Sequence, residues 1–284
     1  MVVTEKPLET DRQIDVGART DTGRVRENNE DSFRLAPDLN LFVLSDGMGG
    51  QASGEVASRL ATESIVDHYR SAEADASLPL NGPRLEGLSD TSNRLASAIR
   101  FANDAIRNAA AQKLEWKGMG ATVVAVHFDG DRMSLAHVGD SRIYRLRSGE
   151  LEQLTRDHSF VAEQVRRGVM TQEEADQSKL QNVLLRALGA DPEVIVDVEE
   201  ELTLESDTIL LCSDGLTREL SDAQIATVLA KSDDAQEAAE RLVDYANQAG
   251  GGDNITVIVV RRAAKPVGAF ARIGRWFRGS SEDS

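Results

Sequence analysis

Cysteine is nearly absent: Cys212 is the single one in 284 residues. No internal disulfide is available, and the setting "TILLCSD" reads as a small core residue rather than a nucleophile. A reducing cytoplasm suits such a chain. Long apolar runs are also missing. Nothing approaches the roughly 18 residues a membrane span needs, and "MVVTEKPLETDRQ" has no apolar centre for a signal peptide. Basic residues are outnumbered, 32 against 48 acidic, for a net charge of -16 and a pI near 4.7. A field of that sign repels polyphosphate, so a nucleic-acid surface is excluded for the main body.

What is present is ordinary globular material, 40% hydrophobic and 28% charged, enough for a full core in one large domain or two smaller ones. No internal repeat occurs, and composition holds steady until about residue 263. "SFRLAPDLNLFVLSD" predicts two strands joined at Pro37 to Asn40. "GATVVAVHFDGDRMSLAHVGD" predicts a hairpin around Asp129-Gly130, and "SRIYRLRSGELEQLT" another around Ser148-Gly149. Apolar stripes at Val56, Leu60, Ala61, Ile65 and Tyr69, and at Leu95, Ile99, Ala102, Ile106 and Ala109, predict two helices facing a core. Residues 71–93 read as a long loop between them. Helix-like polar sequence fills 156–190, Ser221 to Gln248 offers one or two further helices, and "NITVIVVRR" is the last strand. Clustered hairpins with clustered helices imply a sheet sandwich with helices outside, an α+β fold.

The chemistry concentrates at strand ends. "LFVLSDGMGG" delivers Asp46, "SLAHVGDSR" Asp140 and "TILLCSDGLT" Asp214, while Asp253 in "GGDNIT" enters the last strand. One Asp-Gly pair is most simply a turn. Several at one rim of a sandwich are something else, because two carboxylates about 4 Å apart repel by roughly 4 kcal/mol at an effective dielectric of 20. Either cations bind there or some acids are protonated. Hard oxygens with no cysteine or histidine set favour Mg²⁺ or Mn²⁺ over zinc. The glycines at 47, 49 and 50 let the backbone approach, so the Gly47 carbonyl can complete a coordination shell. Two such ions activate a shared water for attack on a phosphoester.

Eight blocks carry a resemblance: "DTGRVRENNEDSF", "LSDGMGGQASGEVAS", "GMGATVV", "AHVGDSRIY", "LTRDHS", "QNVLLRALG", "LLCSDGLT" and "GGDNITVIVV". Taken in order from about 14 to 262, they resemble the metal-dependent protein serine/threonine phosphatases, the type 2C or PPM group, in their bacterial form. The resemblance implies a four-layer α-β-β-α sandwich of two antiparallel sheets over 14–262, with a small flap insertion at about 157–189. It implies two central Mn²⁺ or Mg²⁺ ions on Asp46, the Gly47 carbonyl, Asp214 and Asp253, and a weaker third ion between Asp140 and Asp214. Glu30 and Asp31 match the acids that hold metal-bound waters, and Arg26 the arginine that grips the substrate phosphate. Asn254 follows the last of the metal aspartates in the same block. Hydrolysis of phosphoserine and phosphothreonine by a hydroxide bridging the two ions follows from the resemblance, with a bacterial serine/threonine kinase as counterpart and phosphorylated proteins as partners of a monomer.

The chain departs from the pattern in two places. Met48 and Gln51 stand where eukaryotic and many bacterial members carry a histidine, so protonation of the leaving group falls to a metal-bound water or to another group, His158 being a candidate. In the flap, Lys179-Leu180 stands where bacterial members often have His-Pro. A phosphopeptide-binding module without turnover and a hydrolase of small phosphoesters are the rival readings. Residues 263–284 interleave Phe270, Ile273, Trp276 and Phe277 with Arg272, Arg275 and Arg278. That tail suits a membrane surface or a partner groove, or else the chain's own acidic body.

Overall fold

The greasy strands of this chain are buried on both faces, which is why they run apolar without alternation. In the computed structural model, which describes residues 14–49 and 53–262, one sheet has the order β1 (Ile14–Asp21), β11 (Ile255–Arg262), β10 (Thr208–Cys212), β7 (Arg142–Arg147), β8 (Glu150–Gln153). The other runs β2 (Asp31–Ala36), β3 (Leu41–Met48), β5 (Val123–Asp129), β6 (Arg132–Val138), β9 (Asp197–Leu202), with the short β4 (Gly120–Ala121) on β3. All pairings are antiparallel. Gln51 and the tail from residue 263 lie outside the described residues.

Three apolar layers follow from strand alternation. Phe42, Leu44, Ile209, Leu211, Ile258 and Val260 meet between the sheets. Leu41 and Val43 point the other way, under α1 (Ser53–Ala74) and α2 (Asp90–Gln112). Leu210, Cys212, Val257 and Val259 pack beneath α5 (Asp214–Glu219), α6 (Asp222–Lys231) and α7 (Ala235–Ala249). The result is the α-β-β-α sandwich. Burying each aliphatic side chain stabilises by roughly 1.5 to 3 kcal/mol, which offsets the cost of holding several acids out of water at one rim. Cys212 is fully buried, and burial pushes its thiol up to about 12, so it belongs to the core.

The hairpin turns fall where the sequence places them, with Ser148 and Gly149 both at positive φ between β7 and β8. Two expectations need correction. The loop at 71–93 is shorter, because α1 continues through the buried Ala72 and α2 starts at Asp90, capped by the Ser89 hydroxyl accepting from Ser92 N–H at 3.2 Å. Residues 156–190 carry only two short helices, α3 (Phe160–Arg166) and α4 (Gln172–Asp176), as Gly168 at φ +68° stops the first. Asp214, delivered by the end of β10, opens α5.

Candidate active site

β2 and β3 set the site's geometry. Their register places Asp31 directly opposite Asp46, so both side chains leave the same face at the same rim. Across the gap between the sheets stand Asp214, two residues past β10, and Asp253, two residues before β11. Asp140 joins from the bend after β6. Asp46 is repelled by Asp31, Asp214, Asp140 and Asp253 together, so the strands bring all five acids to one place.

Their protonation reports the strain. Burial first, and neighbouring carboxylates second, raise Asp46 well above the ordinary range and raise Asp214 as well. The charge of Asp214 is among those that push Asp46 up. Burial lifts Asp31 to about 7 against the hydrogen bonds it accepts, and lifts Asp140 to about 7 with help from Asp214 and Asp157.

Asp31 is held by hydroxyls that flank the acids in sequence. Its Oδ2 accepts from Ser213 Oγ at 2.8 Å and Thr256 Oγ1 at 2.6 Å, while its Oδ1 is buried with no partner. Asp46 is fixed by its backbone, whose N–H donates to Thr122 Oγ1 at 3.0 Å. Thr122 Oγ1 in turn lies 2.7 Å from Ser141 Oγ. Gly47 has no room for a side chain: a Cβ there would fall 2.0 Å from the Gly54 carbonyl oxygen and 2.6 Å from that of Glu30. Burial also raises Glu30, against the pull of Arg26 and of the Gly54 N–H.

Asn254 clamps the loop that carries Arg26 and Glu30. Its Oδ1 accepts from Glu30 N–H at 2.8 Å, and its Nδ2 donates to the carbonyls of Thr22 at 2.9 Å and Asn28 at 2.8 Å. Arg26 reaches Asp253 Oδ2 at 2.9 Å. Arg218, on the turn of α5 after Asp214, pairs with Asp214 and also meets Asp253 Oδ2 at 3.0 Å. Arg218, Ser213 and Thr256 escape a reading of the sequence by motif. The hydroxyls beside Asp214 and near Asp253 in "CSDG" and "DNIT" are the one signal of the last two.

His158 stands apart from this cluster. Its Nδ1 accepts from Gly139 N–H at 3.1 Å, so the ring proton sits on Nε2, which faces Asp197 Oδ2 at 3.2 Å. Both nitrogens are engaged and the ring is buried, which leaves none for a leaving group. His137 stacks on it with ring centroids 4.6 Å apart, and Arg186 donates to Asp197 Oδ1 at 2.6 Å. His137, His158 and Asp197 are close enough for a metal, but the bound proton on His158 and the guanidinium on Asp197 make them a closed hydrogen-bond network. It ties the insertion after β8 to the edge strand β9.

A cleft of about 860 Å³ opens between the rim and that insertion, lined by Asp140, Asp157, Ser159, Gln181, Asp214 and Arg218. A divalent cation fits the rim on the structure's own terms. The donors are hard oxygens, one buried carboxylate oxygen has no partner, and the converging carboxylates repel one another, a repulsion that a cation would relieve.

Comparison with known proteins agrees with this geometry. Residues 22–250 match the family model described as protein phosphatase 2C. The chain is 36% identical over 247 residues to the serine/threonine phosphatase stp of Listeria innocua, covering 86% of this chain and 94% of that one. It is 39% identical over 246 residues to the serine/threonine protein phosphatase PstP of Mycobacterium tuberculosis, covering 85% of this chain and 44% of that longer protein. A solved structure of the catalytic domain of PstP in complex with two manganese ions superposes with a TM-score of 0.74 at 38% identity, covering 88% of this chain and 99% of that one. With carboxylates converging at one rim of an α-β-β-α sandwich and these matches across most of its length, the chain belongs to the protein phosphatase 2C family.

Proposed function

We propose that this protein hydrolyses phosphoserine and phosphothreonine in proteins, with divalent cations held by Asp46, the Gly47 carbonyl, Asp214 and Asp253. Asp140 shares a third with Asp214. The observation that carries the reading is the set of buried, mutually repelling carboxylates, whose charge a pair of Mn²⁺ or Mg²⁺ ions neutralises. When bound, such ions supply an activated water and offset charge on the phosphoryl oxygens.

The protein's own groups do the positioning. Ser213 and Thr256 fix one oxygen of Asp31, leaving the other to accept from water, and Glu30 accepts from water beside it. Arg26, partly exposed at the mouth, offers a planar fork to the phosphate once it leaves Asp253. Asn254 holds the loop that aims it. Met48 has no proton to give and His158 has no free nitrogen, so the leaving oxygen takes its proton from water in the cleft.

The insertion flanking the cleft, about 157–189, meets the peptide around the phosphoresidue. Substrates are phosphorylated proteins, and the counterpart is a bacterial-type serine/threonine kinase, as family membership supports. Three apolar layers close within one chain, which favours a monomer. A buried free thiol suits the cytoplasm, and among the described residues no helix is long and apolar enough to cross a membrane.

The test is phosphate release from a phosphothreonine peptide. Release with Mn²⁺ that stops on adding chelator is expected. Peptide binding without release, from folded protein, would replace this reading with that of a phosphopeptide-binding module, which the absence of histidine at Met48 and Gln51 favours.

A further inference from the structure

The reaction gives Arg218 no task, yet it is the best-connected cation at the rim. Its guanidinium pairs with Asp214 on its own helix and with Asp253 Oδ2 at 3.0 Å, at the start of the neighbouring strand. Asp140 also feels its positive charge. The same group donates from Nη2 to Asn182 Oδ1 at 2.9 Å, a residue of the insertion. Asp253 is heavily engaged: Oδ2 accepts from both Arg26 and Arg218, and Oδ1 accepts from the Asn254 N–H at 2.9 Å.

A cation of charge two and a guanidinium cannot share these oxygens without repulsion. Arg26 already has a destination in the phosphate. Arg218 is tethered by one helical turn to Asp214, and its ion-pair partners are Asp214 and Asp253.

We propose that Arg218 is a tethered counter-cation, competing with divalent metal for Asp214 and Asp253 and linking metal occupancy to the insertion through Asn182. Resting on the metal-dependent reading above, it adds a consequence that reading lacks. Metal entry displaces the guanidinium and breaks its bond to Asn182, which loosens the turn at 178–183 beside the cleft. Within that turn Val183 N–H donates to the Leu180 carbonyl at 3.0 Å and Leu180 N–H to Ser178 Oγ at 3.1 Å, while the Val183 carbonyl accepts from Phe160 N–H at 2.7 Å; the Asn182 side chain is held from outside by Arg218. The chain thereby sets its own metal threshold, and the cleft opens to a peptide only when the site is charged.

Calorimetric titration of the full chain with Mn²⁺ tests this without measuring turnover. Arg218→Gln should bind Mn²⁺ about tenfold more tightly than the parent, the scale expected when one like charge leaves the neighbourhood of a dication. Arg218→Lys, which keeps the charge, should stay nearer the parent, separating charge from a general effect on folding. Hydrogen exchange at Gln181 to Val183 should quicken on adding Mn²⁺ to the parent, and Asn182→Ala should show the quickened rate in chelator already. Equal Mn²⁺ affinity for parent and Arg218→Gln would overturn the proposal, as would exchange at 181–183 that ignores the metal. Failure of every variant and the parent to bind Mn²⁺ would instead sink the metal-dependent reading itself.

Discussion

The carboxylate rim and the insertion beside it face each other across one cleft and are built on opposite principles. At the rim, each acid sits in or within two residues of a strand of the two packed sheets, and hydroxyls hold the Asp31 side chain and the Asp46 backbone. The insertion has two short helices and leaves Val169, Leu180, Val183 and Leu185 exposed. It is anchored by the His158–Asp197–Arg186 network and by single bridges from Ser159 to Leu184 and from Ala121 to Leu188. Buried strands resist displacement, and few-contact segments open at low cost. The difference assigns fixed chemistry to the rim and adaptable contact to the insertion.

Cutting into the rim should therefore have the largest effect. Asp214→Asn should lower phosphate release by at least about a thousandfold, since it removes a ligand from cations worth several kcal/mol to the transition state. In chelator the same variant should melt no lower than the parent, because a repelling charge is gone; a collapsed fold would contradict the assignment of Asp214 to chemistry rather than packing. Gly47→Ala comes next. Its Cβ would meet two backbone carbonyls at 2.0 and 2.6 Å, so a urea titration should record a loss of about 1–3 kcal/mol, with activity falling alongside. Arg26→Ala should reduce kcat/KM about 10- to 100-fold with circular dichroism unchanged, the range of a charge-assisted contact to phosphate.

Acidity sharpens the contrast further. Asp31 and Asp140 are both pushed up to about 7 from an ordinary 3.8. The folded chain therefore holds protons that the unfolded chain has released, and stability falls as pH rises. Metal-free protein should be most stable below about pH 4 as far as these groups go, and should lose that contribution progressively up to and through pH 7. Saturating Mn²⁺ should reverse the trend, because the metal takes the ionised form. Thermal melts in chelator and in Mn²⁺ across that range read the sign directly. The smallest effect belongs to the insertion: Leu180→Ser should change turnover of a phosphopeptide by a few fold and that of a small aryl phosphate hardly at all.

The rim announces itself in sequence for a physical reason. A strand buried on both faces must be apolar throughout, so an acid followed by glycine at its end has no packing rationale, and Asp46 and Asp214 stand out at once. Asp253 and Asp140 follow by analogy. Ser213, Thr256 and Thr122 do not stand out, because a hydroxyl beside a strand end is equally at home in a turn. Arg218 is invisible for a different reason: its role depends on Asp253, 35 residues away, and on Asn182, 36 residues away. His158 misleads in the opposite direction, since a histidine after Asp157 reads as a proton donor until Gly139 and Asp197 are found on its two nitrogens. The insertion is hard to read because short helices stopped by glycine and turn bonds leave no periodic stripe.

The central claim is that the converging aspartates form a binding site for paired divalent cations. Anomalous diffraction at the manganese edge from crystals grown with Mn²⁺ tests it most directly. Peaks among Asp46, Asp214 and Asp253, with any third peak beside Asp140, are predicted. An empty rim in crystals that bind Mn²⁺ elsewhere, such as at His137, His158 and Asp197, would contradict it.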